Sequence, residues 1–223
     1  MKPACYVIGV VSQKGGVGKS TICRLLAREF AKAGWRCRIA DLDIGQGTSA
    51  NWRRRRTDAG LSPAIDVQAY GRLEDALGAA TALDVLIIDG LPHASRQTAD
   101  IAEASDLILI PTGASQDDRD PALMLAAELV RDLKVDRARI ALAMCRIPTA
   151  AKAYLAHAYH ELAASGCKVL TAALPEQAGY AEALNKGQAL SETRFHKLNL
   201  QARDFAQEVI NALSAARSEK AAA

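Results

Sequence analysis

Aromatic side chains make up only 4% of this chain. Its core therefore comes from Ala, Leu, Ile and Val, the residues that fill parallel strands and the helices packed against them. No apolar run approaches the roughly 18–20 residues that cross a bilayer, and the stretches at 85–88 and 107–110 fall far short. No charged-then-apolar leader precedes Tyr6, so the chain is expected to stay in the cytoplasm. Cysteine offers no scaffold. The five present (Cys5, Cys23, Cys37, Cys145 and Cys167) are odd in number and scattered, with no Cys-x-x-Cys pair and no histidine at metal-ligand spacing. They read as buried, reduced thiols, not disulfides or zinc ligands. His93, His157, His160 and His196 likewise form no partner pattern and read as surface or satisfied residues. Neither sign of charge dominates, since 28 Lys and Arg against 25 Asp and Glu leave +3. Such a balance neither demands nor excludes nucleic acid, and local clusters become the question.

What is present is an alternation. Strand-like apolar runs recur at 6–12, 37–41, 65–69, 85–89, 107–111, 140–145 and 169–171. Amphipathic patterns lie between most of them, predicting helices over 19–33, 72–80, 97–104, 121–133, 150–165 and 200–215. This is the signature of an α/β fold, a mostly parallel twisted sheet with helices on both faces. With 223 residues and no linker or repeat, one domain over 1–217 is expected, followed by a short, polar, alanine-rich disordered tail over 218–223.

In such sheets functional groups collect at the carboxyl ends of strands. The first strand runs into Ser12-Gln-Lys-Gly-Gly-Val-Gly-Lys-Ser-Thr21 and then a helix, the second ends in Asp41-Leu-Asp43, and the fourth ends in Asp89-Gly90. The glycine-rich turn is a phosphate cradle: its backbone N–H groups curl around a polyphosphate and the helix N-terminus adds its positive end. Residues Lys14, Gly15, Gly16, Val17, Gly18, Lys19, Ser20 and Thr21 form it, with Lys19 reaching the β and γ phosphates, Ser20 binding Mg²⁺ and Thr21 near the α phosphate. Asp89, at the end of the apolar run 85–88, is placed as a carboxylate that acts on magnesium from behind the ion's direct ligands. Asp41 and Asp43 point to opposite sides of an extended strand end. Asp43 is assigned to the attacking water and Asp41 to a magnesium-bound water, giving a site for phosphoryl transfer. The ordinary pattern places a glycine at 13, where this chain has Gln13, followed by a second lysine, Lys14. One nucleotide does not require that charge, so it is aimed elsewhere.

These residues resemble the ParA/MinD group of deviant Walker-type ATPases over nearly the whole chain. Lys14–Thr21 is similar to the deviant Walker A motif, 41–47 to the switch I segment and 86–89 to the Walker B strand. Softer matches are 106–112 and 180–187. The resemblance implies ATP and Mg²⁺ as ligands and a slow, partner-stimulated ATPase. It also implies an ATP-bound sandwich dimer in which Lys14 crosses to the other subunit's nucleotide, making Lys14, Lys19 and Asp43 the catalytic set. Two departures stand out. Gly90-Leu91-Pro92 replaces a Pro-Pro pair, which predicts a more mobile switch II. The segment Ala143-Met144-Cys145-Arg146 stands where relatives place an asparagine near adenine, and backbone contacts near Pro175 could replace that side chain.

Two branches of this family use one switch on different surfaces, DNA or membrane. Leu198, Leu200, Phe205, Val209, Ile210 and Leu213 are spaced to pack on the sheet, without the bulky apolar face and lysine rim of a membrane anchor. Positive charge gathers in two places, the arginines at 53–56 and the group Lys186, Arg194, His196, Lys197 and Arg203. Either suits phosphates. By resemblance, Lys186, Arg194, Lys197 and Arg203 are the DNA contacts, while 53–56 could border the dimer interface. The expectation is a nucleoid-associated homodimer that binds DNA nonspecifically, answers to a ParB-like adaptor, and partitions plasmid or chromosomal DNA. Positioning of a non-DNA cargo, such as a microcompartment or conjugation machinery, is the alternative, and a membrane-associated MinD-like role a weaker one.

Overall fold

The computed structural model describes residues 5–45, 47–92, 96–148 and 152–222. Eight strands form one sheet, all paired in parallel, in the order β3-β2-β4-β1-β5-β6-β7, with β8 paired to β6. In chain order they are β1 (Tyr6–Ser12), β2 (Cys37–Asp41), β3 (Asp66–Ala69), β4 (Val85–Pro92), β5 (Leu107–Thr112), β6 (Ile140–Ile147), β7 (Lys168–Val169) and β8 (Leu174–Pro175). The helices are α1 (Lys19–Lys32), α2 (Thr48–Asp58), α3 (Leu73–Gly78), α4 (Arg96–Ala104), α5 (Gln116–Arg131), α6 (Lys152–Ala163), α7 (Ala178–Asn185) and α8 (His196–Ala222).

Successive residues of the central strands bury into opposite layers, which is why these strands read as continuous apolar runs. Ile8, Val10, Val85 and Ile87 pack with Leu25, Leu26 and Phe30 of α1 and Phe205 and Val209 of α8. Val7, Val11, Leu86 and Ile88 pack on the other side with Ile101 of α4, Leu125 and Leu129 of α5 and Leu162 of α6. The α/β doubly wound fold expected from the alternation is present. In parallel register Asp41 stands level with Asp89 across the β2–β4 pair, and Val10 level with Asp89 across β1–β4. The ends of β1, β2 and β4 therefore meet at one edge.

Several elements differ from the sequence expectations. α2 carries no apolar stripe: its buried positions are Ser49, Trp52 and Arg56. It contains the basic run at 53–56, where the sequence pattern predicts no helix. Within 53–56 the roles divide. Arg56 is 1% exposed, with its guanidinium on Glu192 (2.6 and 3.0 Å), the Pro63 carbonyl (3.0 Å) and the Gly187 carbonyl (3.2 Å). Arg53 donates to the Val67 carbonyl at 2.9 Å. The run is thus not one solvated patch. Gly187 adopts φ +76, and a Cβ there would collide with the Arg56 backbone.

α5 begins at Gln116, ahead of its expected start at 121, and holds Pro121 inside. Proline lacks the N–H that would reach back four residues to the Asp117 carbonyl. The Lys14 ammonium approaches that carbonyl at 3.4 Å. α8 continues to Ala222, past the expected end at 215 and through most of the stretch read as a disordered tail. β8 and α7 were not anticipated, being a two-residue strand and a short alanine-rich helix.

Candidate nucleotide site

The cradle lies between β1 and α1. Gly18 caps α1 at φ +107, a left-handed conformation that favours glycine, and its carbonyl accepts the Ile22 N–H at 2.9 Å. Gly16 is left-handed too, at φ +75. The loop is tied back to β1 by the Lys14 N–H, which donates to Ser12 Oγ at 3.1 Å. Lys19 is 8% exposed; burial lowers its pKa, opposed by the charges of Asp89 and Asp43. A buried ammonium facing two carboxylates is the arrangement that a polyphosphate completes.

Asp89 is 2% exposed. Its carboxylate is hydrogen-bonded by the Ser20 side chain and accepts the Ser49 hydroxyl at 3.2 Å. Asp41, also 2% exposed, accepts the Asp43 N–H on Oδ1 at 3.1 Å and leaves Oδ2 buried without a partner. Asp43 is near enough for its charge to act on both Lys19 and Asp41. The structure thus gathers Lys19, Ser20, Asp41, Asp43 and Asp89 at one edge. The orphaned Asp41 oxygen, with Asp89 and the Ser20 hydroxyl, is a donor set of the hard oxygens that Mg²⁺ prefers. Among the described residues no cluster of three or more His, Cys, Asp or Glu could hold a metal unaided. The ion would share its ligands with phosphate oxygens.

Burial pushes the Asp89 carboxyl up to about 6, and the Asp41 charge adds to this; Ser20, Arg24 and Ser49 act against it. Because this value lies above the ordinary 3.8, the folded chain holds the proton more tightly than the unfolded one. Its contribution to stability is complete at low pH and is lost as pH rises through about 6. Free of nucleotide and magnesium, the Asp89→Asn variant should therefore be more stable than the natural chain at pH 8, by about 1–3 kcal/mol, and the gap should narrow to about half at pH 5, closing only below the ordinary 3.8. Denaturant melts at both pH values measure it. Equal stability at pH 8 would contradict the buried-charge account.

Three partners of this site carry no local sequence signal. Arg24 Nε and Nη2 donate to Ser49 Oγ at 3.3 Å each, which fixes the hydroxyl that bonds Asp89. Asp118 at the start of α5 pairs with the Lys14 ammonium and accepts the Ser115 hydroxyl at 2.6 Å. Burial alone would raise the Asp118 carboxyl, but Lys14 and Ser115 hold it below its ordinary value. Arg146 donates to the Gly16 carbonyl at 2.8 Å and to Glu176 at 3.1 Å.

Beside the cradle opens a cavity of about 270 Å³, lined by Thr21 and Ile22 of α1, Pro175, Tyr180, Leu184 and Leu190, with Arg146, Glu176 and Gln177 also on its wall. Pro175, expected near the base, lies on its wall. The four basic residues expected on DNA are less unified. Lys186 pairs with Glu182 at 2.8 Å, and Arg194 lies 3.6 Å from the same carboxylate and 4.8 Å over the Phe195 ring. Lys197 is exposed on α8, whereas Arg203 is half-buried with its Nε enclosed and unpartnered. Six residues on, Arg203 is rotated about 240° from Lys197. They face different sides.

All five cysteines are free; four are buried, and Cys5 is half-buried. His157 pairs with Glu161 at 2.9 Å, and His93 lies outside the described residues. No helix among the described residues is long and apolar enough to cross a membrane.

The same architecture recurs in known proteins. Solved structures of similar fold include the MinC:MinD cell division protein complex of Aquifex aeolicus, with TM-score 0.72, 14% identity and coverage of 93% of this chain and 96% of that one. A putative plasmid partition protein of Borrelia burgdorferi B31, solved with AMPPNP, has TM-score 0.69, 16% identity and coverage of 92% and 99%. In sequence, the chain is 55% identical over 38 residues to the iron-sulfur cluster carrier protein of Clostridium perfringens (strain 13 / Type A), a match spanning 17% of this chain and only 13% of that protein. Residues 8–190, from β1 through the turn that closes the cavity, match the profile of the CobQ/CobB/MinD/ParA nucleotide binding domain. With the phosphate loop, the strand-end carboxylates and the base-sized slot all inside that span, the chain belongs to the CobQ/CobB/MinD/ParA family.

Proposed function

We propose that the chain is a ParA-type ATPase whose ATP-bound form is a sandwich dimer that binds DNA nonspecifically and, with a ParB-like adaptor, partitions or positions DNA. One observation carries this reading. Lys14 stands at the mouth of the cradle with its side chain 42% exposed and tethered to Asp118 on α5. A cation so placed is free to exchange Asp118 for the phosphates of a facing subunit. Two triphosphates brought together repel, and lysines given in trans offset that charge most strongly as it develops during transfer.

Within each subunit, Lys19 holds the β and γ phosphates, and Thr21 lies near the α phosphate. Ser20, Asp89 and Asp41 would hold Mg²⁺, which when bound would neutralise charge on the phosphates. Asp43 orients the attacking water. Lys186, Arg194 and Lys197 would have to leave their carboxylate partners or solvent for DNA phosphates, giving salt-sensitive affinity.

The test is a titration of mixed-sequence DNA with no nucleotide, ADP and ATP, each with magnesium. Binding should appear with ATP alone and disappear at high salt. No binding with ATP even at low salt would end the DNA reading. In parallel, Lys14→Ala should weaken ATP-dependent dimerisation at least about tenfold, or 1.4 kcal/mol, while leaving ADP uptake by the monomer. Dimer mass by light scattering reports this, and an unchanged dimer would remove Lys14 from the interface.

A further inference from the structure

Arg146 occupies an unusual place in the chain. It lies where the register between β6 and β8 shifts, between the pairs Cys145 with Leu174 and Ile147 with Pro175. Its φ is +56, left-handed, which a residue with a long side chain rarely adopts. Bulges of this kind re-aim a side chain, and strain at a site is kept where the surroundings hold it. Here the guanidinium is delivered between the phosphate loop and the segment after β8, on the Gly16 carbonyl at 2.8 Å and on Glu176 at 3.1 Å. Glu176 is pinned in turn by its own N–H, which donates to the Ile147 carbonyl at 2.9 Å. Both side chains are more than half exposed and both line the 270 Å³ cavity beside the cradle.

The remaining wall is mostly apolar, formed by Ile22, Leu174, Pro175, Tyr180, Leu184 and Leu190. Such a slot takes a planar ring without choosing among bases. Choice falls to the polar side chains at its rim, of which Arg146 and Glu176 are the charged pair. Arginine offers two parallel N–H donors, which match the O6 and N7 acceptors of guanine. A carboxylate only accepts, and guanine presents N1–H and N2–H₂ donors to it. Adenine engages the same pair less fully, giving one N6 donor to the carboxylate and one ring-nitrogen acceptor to the guanidinium.

We propose that Arg146 and Glu176 are the base-reading pair of this site, and that they admit guanine nucleotides as well as adenine nucleotides. This rests on the nucleotide-binding reading above, but not on dimerisation, DNA or hydrolysis.

The experiment titrates ADP, GDP and CDP, with magnesium, into the nucleotide-free full chain by calorimetry. Diphosphates are chosen because they report on the monomer. ADP and GDP should bind within about tenfold of one another, with CDP weaker because its single ring covers less of the apolar wall. Asparagine tolerates the left-handed region, so Arg146→Asn keeps the bulge. It should lower GDP affinity at least about tenfold relative to ADP. Glu176→Gln, at an exposed position that leaves folding intact, should also weaken GDP more than ADP. ADP binding without GDP binding in the natural chain overturns the proposal, as does an equal loss of all three nucleotides in Arg146→Asn, which would make Arg146 a strap on the phosphate loop only. A chain that takes up no diphosphate contradicts the nucleotide reading itself.

Discussion

Replacing Lys19 by alanine is expected to abolish productive nucleotide binding and leave the fold standing. The ammonium is 8% exposed at the first turn of α1, and burial already disfavours its charge. Removing it therefore relieves a desolvation cost in the empty protein, and the melting temperature without ligand should change little. With nucleotide present the balance reverses. A buried, charge-assisted contact to phosphate is worth about 3 kcal/mol or more, a factor of at least about a hundred in affinity. Thermal melts with and without magnesium and nucleotide separate the two effects. The natural chain should be stabilised by ligand and the Lys19→Ala variant should not. A variant that retained the full ligand-induced shift would displace Lys19 from the phosphates.

The second large effect concerns stability. Arg56→Ala removes a guanidinium that is 1% exposed and leaves Glu192 facing a hole. Burial would raise the Glu192 carboxyl, yet Arg56, the Ala189 N–H and Arg28 hold it below its ordinary value, so the carboxylate is charged and depends on those partners. Breaking a buried pair from one side costs about 3–5 kcal/mol. For a chain of this size that is a fall of about 6–20 °C in melting temperature. Lysine should not rescue it, because one ammonium cannot serve Glu192, Pro63 and Gly187 at the angles a planar fork reaches. Denaturant unfolding that places Arg56→Ala within about 1 kcal/mol of the natural chain would refute this account.

Arg56 also shows where sequence reading stops. Strands β1, β5 and β6 were legible because each is a largely aliphatic run buried on both faces, and the cradle because its glycines, Lys19 and Ser20 are contiguous. The meeting of Asp41 with Asp89 followed from strand ends sharing one edge. α2 was not legible, since its inward side is Ser49, Trp52 and Arg56, which no apolar periodicity reveals. A run of arginines reads as a solvated patch, and only the fold shows that one of them is enclosed. Pro121 looked like a helix start, because its missing N–H is usually harmless only in the first turn. Here a carbonyl it leaves free is approached by Lys14 from a different element. The partners Asp118 for Lys14 and Glu176 for Arg146 lie 104 and 30 residues away, separations at which spacing says nothing.

The placement of α2 has a mechanical consequence. At its first turn Ser49 is bonded to Asp89, the carboxylate beside the phosphate loop; one turn later the Trp52 indole donates to the Gln188 carbonyl at 3.1 Å; and at its far end Arg56 grips Gly187 and Glu192. The helix is a strut with both ends hydrogen-bonded, one in the nucleotide site and the other in the turn that separates Lys186 from Arg194. A displacement at Ser49 is expected to reach 187–192 through this packed helix as a tilt. Amide exchange across that turn, with and without nucleotide, is where the strut would be seen to move.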